Sequence, residues 1–319
     1  MQHSQQQLDV QLAAAVRAAR EEIMGNYSVV VDTTNWSWCN GELQVQGGVL
    51  SPVQMNIYQR VLGEQLGDLA IPEPAILSSL DSPWHLHQWL QIPAGNSLDL
   101  FRRPNTDLQT QWAGPAWVRY FADHPNSGSV LIQTPDASLG WTSKDQLACD
   151  ATGPTADPWA HYLRPLAHRT RAPQVESPCN CPRMQANEVL ACYARSWLGR
   201  SYGWGANSER RIDCSGFTQR VMLHCCGLLL PKNSADQQAL GKHLGPDEMR
   251  AGDLVFVVGR SEGLRHVAMV VEAPNDPTSL NVVHASMSKS AVVEERLDVF
   301  LARHEFKAAR RLLHWPEER

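Results

Sequence analysis

The residues with the clearest chemical potential are one cysteine and two histidines in the C-terminal third of the chain. Cys214 lies in RIDCSGF, directly before a stretch of helical character, whereas His266 and His284 lie in HVAMVV and VVHAS. A thiol attacks a carbonyl group as the thiolate, and both a helix N-terminus and a neighbouring imidazole favour that anion. The three residues therefore indicate nucleophilic catalysis, while packing residues and a metal site are alternatives that their spacing leaves open.

The elements around these residues decide whether they can meet. The stretch DCSGFTQRVMLHCC predicts a helix that begins near Cys214 and ends at Gly227, and four runs between residues 253 and 297 predict strands. If the strands of His266 and His284 pair antiparallel, both imidazoles can lie near each other on the face that opposes the Cys214 helix. The first histidine would then be the base, and the second would orient it. Helices followed by an antiparallel sheet predict an α+β fold for residues 184–319.

The residues before this region divide into three further segments. Residues 1–90 contain a predicted helix over 8–24 and a second helix from about residue 52, in a region whose role the sequence leaves open. Residues 91–150 contain short strand-like runs separated by turn signals, which predict a small β-barrel. Residues 151–183 are rich in proline and predict a linker along the surface.

Composition and charge exclude several classes of protein. The chain has 319 residues, of which 43% are hydrophobic and 19% are charged, and its formal net charge is -5. This balance is typical of a globular protein and gives no electrostatic reason to expect nucleic acid or a membrane as partner. The N-terminal segment lacks the basic start of a secretory signal, so we expect a cytoplasmic protein.

The eight cysteines are few for this length and show no spacing typical of a disulfide framework, which predicts free thiols. Cys179 and Cys181 resemble half of a metal site, but no second pair follows at zinc-ribbon spacing. We therefore expect neither a metal site nor a cofactor.

The four motifs taken in order are more restrictive than any one of them. The set DCSGF, GDLVF, HVAMVV and VHAS resembles the NlpC family of papain-like cysteine peptidases, which cleave peptide stems of the bacterial cell wall. The resemblance covers residues 184–312. It implies that Cys214 is the nucleophile, His266 the general base and His284 the orienting residue. It also implies that Tyr202, in SYGWG, helps to polarise the scissile carbonyl group.

The same resemblance implies a set of substrate-binding residues. Asp213 and Ser215 flank the nucleophile and match positions that contact polar groups of the substrate, and Ser234, in LPKNSADQQ, matches a further substrate-side serine. The order of the motifs, with the cysteine before both histidines, argues against the circularly permuted relatives of this family.

Residues 91–150, which end in a Gly140-Trp141 pair, resemble the bacterial SH3-like modules that accompany cell-wall enzymes. Such a module before an NlpC domain resembles murein-peptide recycling enzymes, which cut the γ-D-glutamyl-diaminopimelate (or lysine) bond of peptides with a free N-terminal alanine. There, an acidic residue and a tyrosine bind the free amine. The corresponding positions here read Ala116 and a tyrosine-free stretch, residues 137–141, so either other residues hold the amine, with Asp213 as one available carboxylate, or the substrate differs.

These observations predict a cysteine endopeptidase that hydrolyses murein-derived peptides through a thioester, in cell-wall recycling. One alternative keeps this chemistry but changes the substrate to another amide or an ester. A second alternative is a binding protein for cell-wall peptides whose catalytic domain has decayed. A metal hydrolase that uses Cys214, His266 and His284 as ligands is the third.

Overall fold

The computed structural model describes residues 2–26, 30–67, 69–148, 153–162, 186–260, 263–273 and 276–313. The chain forms two compact units: Met1–Gln91 with Trp117–Gln133 and Ser143–Pro158, and Ile92–Ala116 with Thr134–Thr142 and Trp159–Arg319. Residues predicted as one β-barrel, 91–150, thus contribute to both units, and the predicted domain boundaries stay predictions. Within the described residues, no helix is both long and apolar enough to cross a membrane.

The described helices and strands follow one another along the chain in a mixed order. They are α1 (Gln2–Asn26), β1 (Asn35–Cys39), β2 (Glu42–Gln46), β3 (Gly48–Val49), α2 (Pro52–Leu66), β4 (Ala75–Ile76), β5 (Gln88–Ile92), β6 (Ser97–Arg103), β7 (Thr106–Ala113), β8 (Ala116–Asp123), β9 (Ser129–Gln133), β10 (Leu139–Ser143), α3 (Ala186–Arg195), β11 (Ser201–Tyr202), β12 (Arg211–Ile212), α4 (Cys214–Cys226), α5 (Ser234–Gln238), β13 (Lys242–Leu244), β14 (Leu254–Gly259), β15 (Arg265–Ala273), β16 (Asp276–Ser286), β17 (Ala291–Arg296), α6 (Leu297–Arg303) and β18 (His304–Arg311).

The first unit is built on two helices that pack against each other. α1 buries Leu12, Ala15, Ala19 and Ile23, whose spacing of three and four residues places them on one face. α2 begins after Ser51 with proline at its first position, where a proline N–H is not needed. Both helices predicted from the sequence are therefore confirmed. The same unit also holds the β1–β2 hairpin and the antiparallel pair β8–β9.

The second unit begins with β6, β7 and β10, in which β6 pairs antiparallel with both of its neighbours. Two hydrogen bonds connect this segment to the region of the site residues. The Gln219 side chain donates from Nε2 to Asp136 Oδ2 at 3.0 Å, and the Asn207 backbone N–H donates to Gln111 Oε1 at 3.3 Å. Because Gln219 lies on α4, the first of these bonds ties that helix to the segment before β10.

The rest of the second unit is an α+β fold, as predicted. Its strands form one sheet in the order β12-β11-β17-β16-β15-β14-β18-β13, and β14 to β17 pair antiparallel with their sequence neighbours. β14, β15, β16 and β17 confirm the four strands predicted between residues 253 and 297. The sequence did not predict α6 and β18, which follow them and complete this part of the chain.

Both faces of this sheet are buried, because side chains alternate along each strand. On β15, Val267 and Met269 join the core beneath α3 and α4, whereas Ala268 and Val270 join a second core with Phe300 of α6. α3 and α4 therefore cover one face of the sheet and α6 covers the other, so the face on which a side chain lies determines which helices it can contact.

Candidate active site

The N-terminus of α4 is fixed by a buried carboxylate. The Asp213 side chain caps the helix by accepting a hydrogen bond from the Gly216 backbone N–H at 2.7 Å. Lys232 Nζ donates to the other carboxylate oxygen at 2.6 Å, and both partners are buried. A Cβ atom at Gly216 would lie 2.9 Å from the Ala206 carbonyl oxygen, so only glycine fits there. Cys214 is thereby held as the first residue of the helix.

The thiol of Cys214 is not acidic in this environment. The side chain retains some exposure, yet burial raises its pKa to about 11, and the Asp213 carboxylate also raises it. The backbone N–H of Val267 and the Lys232 ammonium act in the opposite direction without overcoming the burial. The sequence predicted that the helix start would favour the thiolate, and here burial outweighs that effect. The resting thiol is neutral, so attack on a carbonyl group requires a base.

The two histidines predicted from the sequence contact each other directly. His266 on β15 and His284 on β16 join through Nε2 and Nδ1, which are 2.8 Å apart. Their strands pair antiparallel, as predicted. His284 Nε2 lies 2.9 Å from Glu295 Oε1, and the Glu295 carboxylate also accepts from Arg303. Four side chains from four elements therefore form one continuous chain of hydrogen bonds.

Burial dominates the protonation of both imidazoles. It lowers the pKa of His266 well below its usual value, with further lowering from His284 and His304. It also lowers the pKa of His284, although Glu295 partly offsets this. Both rings are therefore neutral at neutral pH, and His266 can accept a proton.

The expected face of the histidines needs a correction. Val267 and Val283, which neighbour the two histidines in sequence, pack in the core beneath α4. His266 and His284 point the other way and contact Phe300 of α6, with ring centroids 5.9 Å and 5.0 Å away. They still line the same cleft as Cys214, and the backbone N–H of Val267, next to His266, donates a hydrogen bond to the Cys214 thiol.

Cys214, both histidines and Tyr202 line one cleft of about 200 Å³. Burial and the neighbouring Cys214 raise the pKa of Tyr202, so its hydroxyl stays protonated and can donate a hydrogen bond. No aspartate or glutamate is among the described residues that line the cleft, but three arginines are. The full lining is Tyr202, Trp204, Cys214, Gly259, Arg260, Leu264, Arg265, His266, His284, Ser286, Met287, Ser288, Arg303 and His304.

The substrate contacts predicted for Asp213, Ser215 and Ser234 stay predictions. Asp213 and Ser215 are buried and are absent from the cleft lining, and the Asp213 carboxylate accepts from Gly216, Lys232 and the Ser215 hydroxyl. Both residues thus have an internal role at the helix start. Ser234 lines an adjoining cavity of about 270 Å³ that His266 and Arg265 also border.

Three residues of the site were not predicted from the sequence. Glu295 and Arg303 extend the histidine pair, and His304 lines the cleft with its Nδ1 2.8 Å from the Phe300 carbonyl oxygen. They come from β17, α6 and β18, and two of these elements were not predicted. Acidic and basic residues in VVEERL and LARHEF were the available signal, but such residues usually lie on a solvated surface.

The metal alternative does not match this arrangement. The facing nitrogens of His266 and His284 are directed at each other, so they cannot both bind a metal ion. Among the described residues, no group of three or more histidine, cysteine, aspartate or glutamate side chains is placed to hold one.

Comparison with known proteins gives the family. The NlpC/P60 family matches residues 199–310. The probable endopeptidase NlpC of Escherichia coli (strain K12) is 34% identical over 119 residues, which are 37% of this chain and 73% of that protein. The chain belongs to the NlpC/P60 family.

Other relatives match the same part of the chain. The murein DD-endopeptidase MepS/murein LD-carboxypeptidase of Escherichia coli (strain K12) is 33% identical over 127 residues, or 40% of this chain. The chain spans 63% of the length of that protein, which is less than two thirds. A solved structure of an NlpC/P60 endopeptidase from Photobacterium damselae subsp. piscicida is 13% identical, covers 72% of each chain and has a TM-score of 0.47, a likeness too loose to carry an argument.

Proposed function

We propose that this protein is a cysteine endopeptidase that hydrolyses murein-derived peptides through a thioester intermediate. The observation that carries the proposal is the cleft that Cys214, at the start of α4, lines together with the hydrogen-bonded pair His266 and His284. A neutral thiol beside a neutral imidazole is the starting state for general-base catalysis.

The reaction would proceed in two halves. As the Cys214 sulfur attacks the scissile carbonyl carbon, its proton passes to His266, and the C–N bond then breaks as His266 returns that proton to the leaving amine. Water next attacks the thioester, gives one proton to His266 and releases the acid while the thiol is regenerated. Tyr202 and the backbone N–H groups at the start of α4 are the donors available to the developing oxyanion.

The charge of the cleft supports an acidic peptide as substrate. Arg260, Arg265 and Arg303 line the cleft without an aspartate or glutamate among the described lining residues. Murein stem peptides carry free carboxylates, and the γ-D-glutamyl linkage leaves one beside the scissile amide. Guanidinium groups bind carboxylates well, so we propose cleavage at the γ-D-glutamyl-diaminopimelate or γ-D-glutamyl-lysine bond, in murein recycling.

A second candidate is a substrate without a free N-terminal amine. Ala116 and the tyrosine-free stretch 137–141 lack the amine-binding pair expected of a recycling enzyme, and the Asp213 carboxylate is buried and already paired with Lys232. One relative is named a murein DD-endopeptidase and LD-carboxypeptidase, which makes cross-linked or blocked stem peptides reasonable substrates. In either case, we propose that residues 91–150 form an SH3-like module.

Mass spectrometry of the products from defined peptides tests both candidates. The panel contains L-Ala-γ-D-Glu-diaminopimelate, its N-blocked form and a cross-linked stem dimer, each with wild type and Cys214→Ala. Cleavage of the free tripeptide alone supports the recycling reaction, and cleavage of the blocked or cross-linked peptides supports the second candidate. If wild type leaves the whole panel intact, the proposal of murein peptide hydrolysis is wrong.

A further inference from the structure

Behind the two histidines lies an acidic residue whose role nothing so far explains. We propose that Glu295, held by Arg303, is a positioning residue that fixes which ring nitrogen of His266 and of His284 carries the proton. The proposal rests on the proposed function in that it assigns His266 as the base for Cys214. The protonation pattern itself can be observed without any substrate.

The hydrogen bonds dictate the pattern step by step. The carboxylate of Glu295 can only accept, so His284 Nε2 must carry a hydrogen and donate it over 2.9 Å. A neutral His284 then has its lone pair on Nδ1 and accepts from His266 Nε2 over 2.8 Å. A neutral His266 that donates from Nε2 has its lone pair on Nδ1. That nitrogen is therefore the one left to accept the proton of Cys214.

Glu295 is suited to this task by its own environment. The hydrogen bond with His284 and the charge of Arg303 lower its pKa, so it remains a carboxylate at neutral pH. Its side chain is mostly buried on β17, which restricts the directions in which it can accept. A glutamine at this position could turn its NH₂ group toward His284, and the alternation of donors and acceptors would then be lost.

Arg303 holds Glu295 in position through their ion pair, but the two residues have opposite effects on the pKa of His284. Its guanidinium group lowers the pKa of His284, whereas Glu295 raises it. Removal of each residue should therefore change the basicity of the histidine pair in opposite directions. His304 at the start of β18 stacks on His266 with ring centroids 6.0 Å apart, and the titratable or charged groups that share the cleft with the pair are Cys214, Arg260 and Arg265.

Arg303 also lines the cleft, with about half of its side chain exposed. A substrate carboxylate that binds Arg303 would draw it from Glu295 and leave more negative charge behind the histidines. The binding of an acidic substrate would thus increase the basicity of His266 while the substrate occupies the cleft.

The rate at which iodoacetamide alkylates Cys214 at pH 7, followed by peptide mass spectrometry, tests the opposite effects of Glu295 and Arg303 on the base. We expect Glu295→Gln to slow the alkylation about tenfold, which corresponds to a fall of one unit in the pKa of His266. We expect Arg303→Met to accelerate the alkylation about two- to threefold. Arg296 and Asp298 form an exposed ion pair beside these residues, so Arg296→Met and Asp298→Asn are matched charge controls with rates near wild type. If both site variants slow the reaction, the two residues serve only to hold the fold and the proposal is wrong.

Nitrogen NMR of the imidazoles tests the pattern itself. In wild type we expect the hydrogen on Nε2 of both His266 and His284, and mixed tautomers in Glu295→Gln. A hydrogen on Nδ1 of His284 in wild type would overturn the proposal. Because neither experiment uses a peptide, a protein that shows the expected pattern but cleaves no murein peptide would refute only the proposed substrate.

Discussion

The two ends of α4 carry the same residue type in different surroundings. Cys214 begins the helix and borders the cleft, whereas Cys225 and Cys226 end it in the core. Burial raises the pKa of all three thiols, to about 11 for Cys214 and about 12 for the other two. Intrinsic acidity therefore does not distinguish the nucleophile from the packing residues. The distinction lies in the base, because only Cys214 shares a cleft with His266.

The comparison also shows how one end of a helix is prepared for chemistry. At the C-terminal end, Gly227 closes the helix in a left-handed conformation with φ of 63°. Cys225 and Cys226 pack there among apolar side chains of the core. At the N-terminal end, the ion pair between Asp213 and Lys232 is buried to fix the backbone around Cys214. Such a pair is costly to desolvate, so its presence beside the thiol marks this end as the one where position matters.

Exchange of the nucleophile should have the largest effect. Cys214→Ala should lower the hydrolysis of a murein peptide by about 10³-fold or more, because no other group can form the thioester. Its thermal unfolding should change little, since the side chain is partly exposed. The matched control is Cys39→Ala, at an exposed cysteine of the other unit, which should keep full activity. Turnover by purified Cys214→Ala above background would contradict the assignment.

Loss of the buried ammonium group of Lys232 should have the second largest effect. Lys232→Met should destabilise the protein by about 3 kcal/mol, because it leaves the buried Asp213 carboxylate without its counterion. Urea unfolding measures this difference. The exposed Lys242→Met is the control and should change stability by less than about 0.5 kcal/mol. Equal effects of the two substitutions would show that the ion pair does not fix the N-terminus of α4.

The pH dependence separates a base from a packing residue. His266 acts as a base only when neutral, and its pKa is lowered by burial, so activity should persist as the pH falls through 6.5 and be lost well below it. An acid limb of kcat/KM at or above pH 6.5 would contradict this. The unfolded chain binds more protons than the native state below pH 6.5, so native stability decreases there. Circular dichroism at each pH should therefore confirm that the enzyme is still folded.

The smallest effect is expected at the other end of the helix. Cys226→Ala removes one buried sulfur atom from the core and should cost about 1 kcal/mol of stability without changing kcat/KM. Thermal unfolding together with peptide hydrolysis measures both. A large loss of activity in this variant would mean that the two ends of α4 are not independent.

Local patterns were sufficient for the elements that carry the nucleophile and the base. Apolar periodicity and Gly227 defined α4, and short runs rich in valine defined β15 and β16, since these signals depend on neighbours in the sequence. Their order then indicated the family. Pairing of the two histidines followed, because antiparallel neighbours bring residues of adjacent strands together.

By itself, the sequence determined the chemical types at the site and the elements that hold Cys214, His266 and His284. The tertiary structure decided which face the histidines occupy, that Asp213 is buried against Lys232, and that Glu295 stands behind His284. It also raised the pKa of the thiol where the helix start alone predicts the opposite. The physical reason is that burial and long-range pairing arise only when distant segments pack, and desolvation then outweighs the local field of one helix.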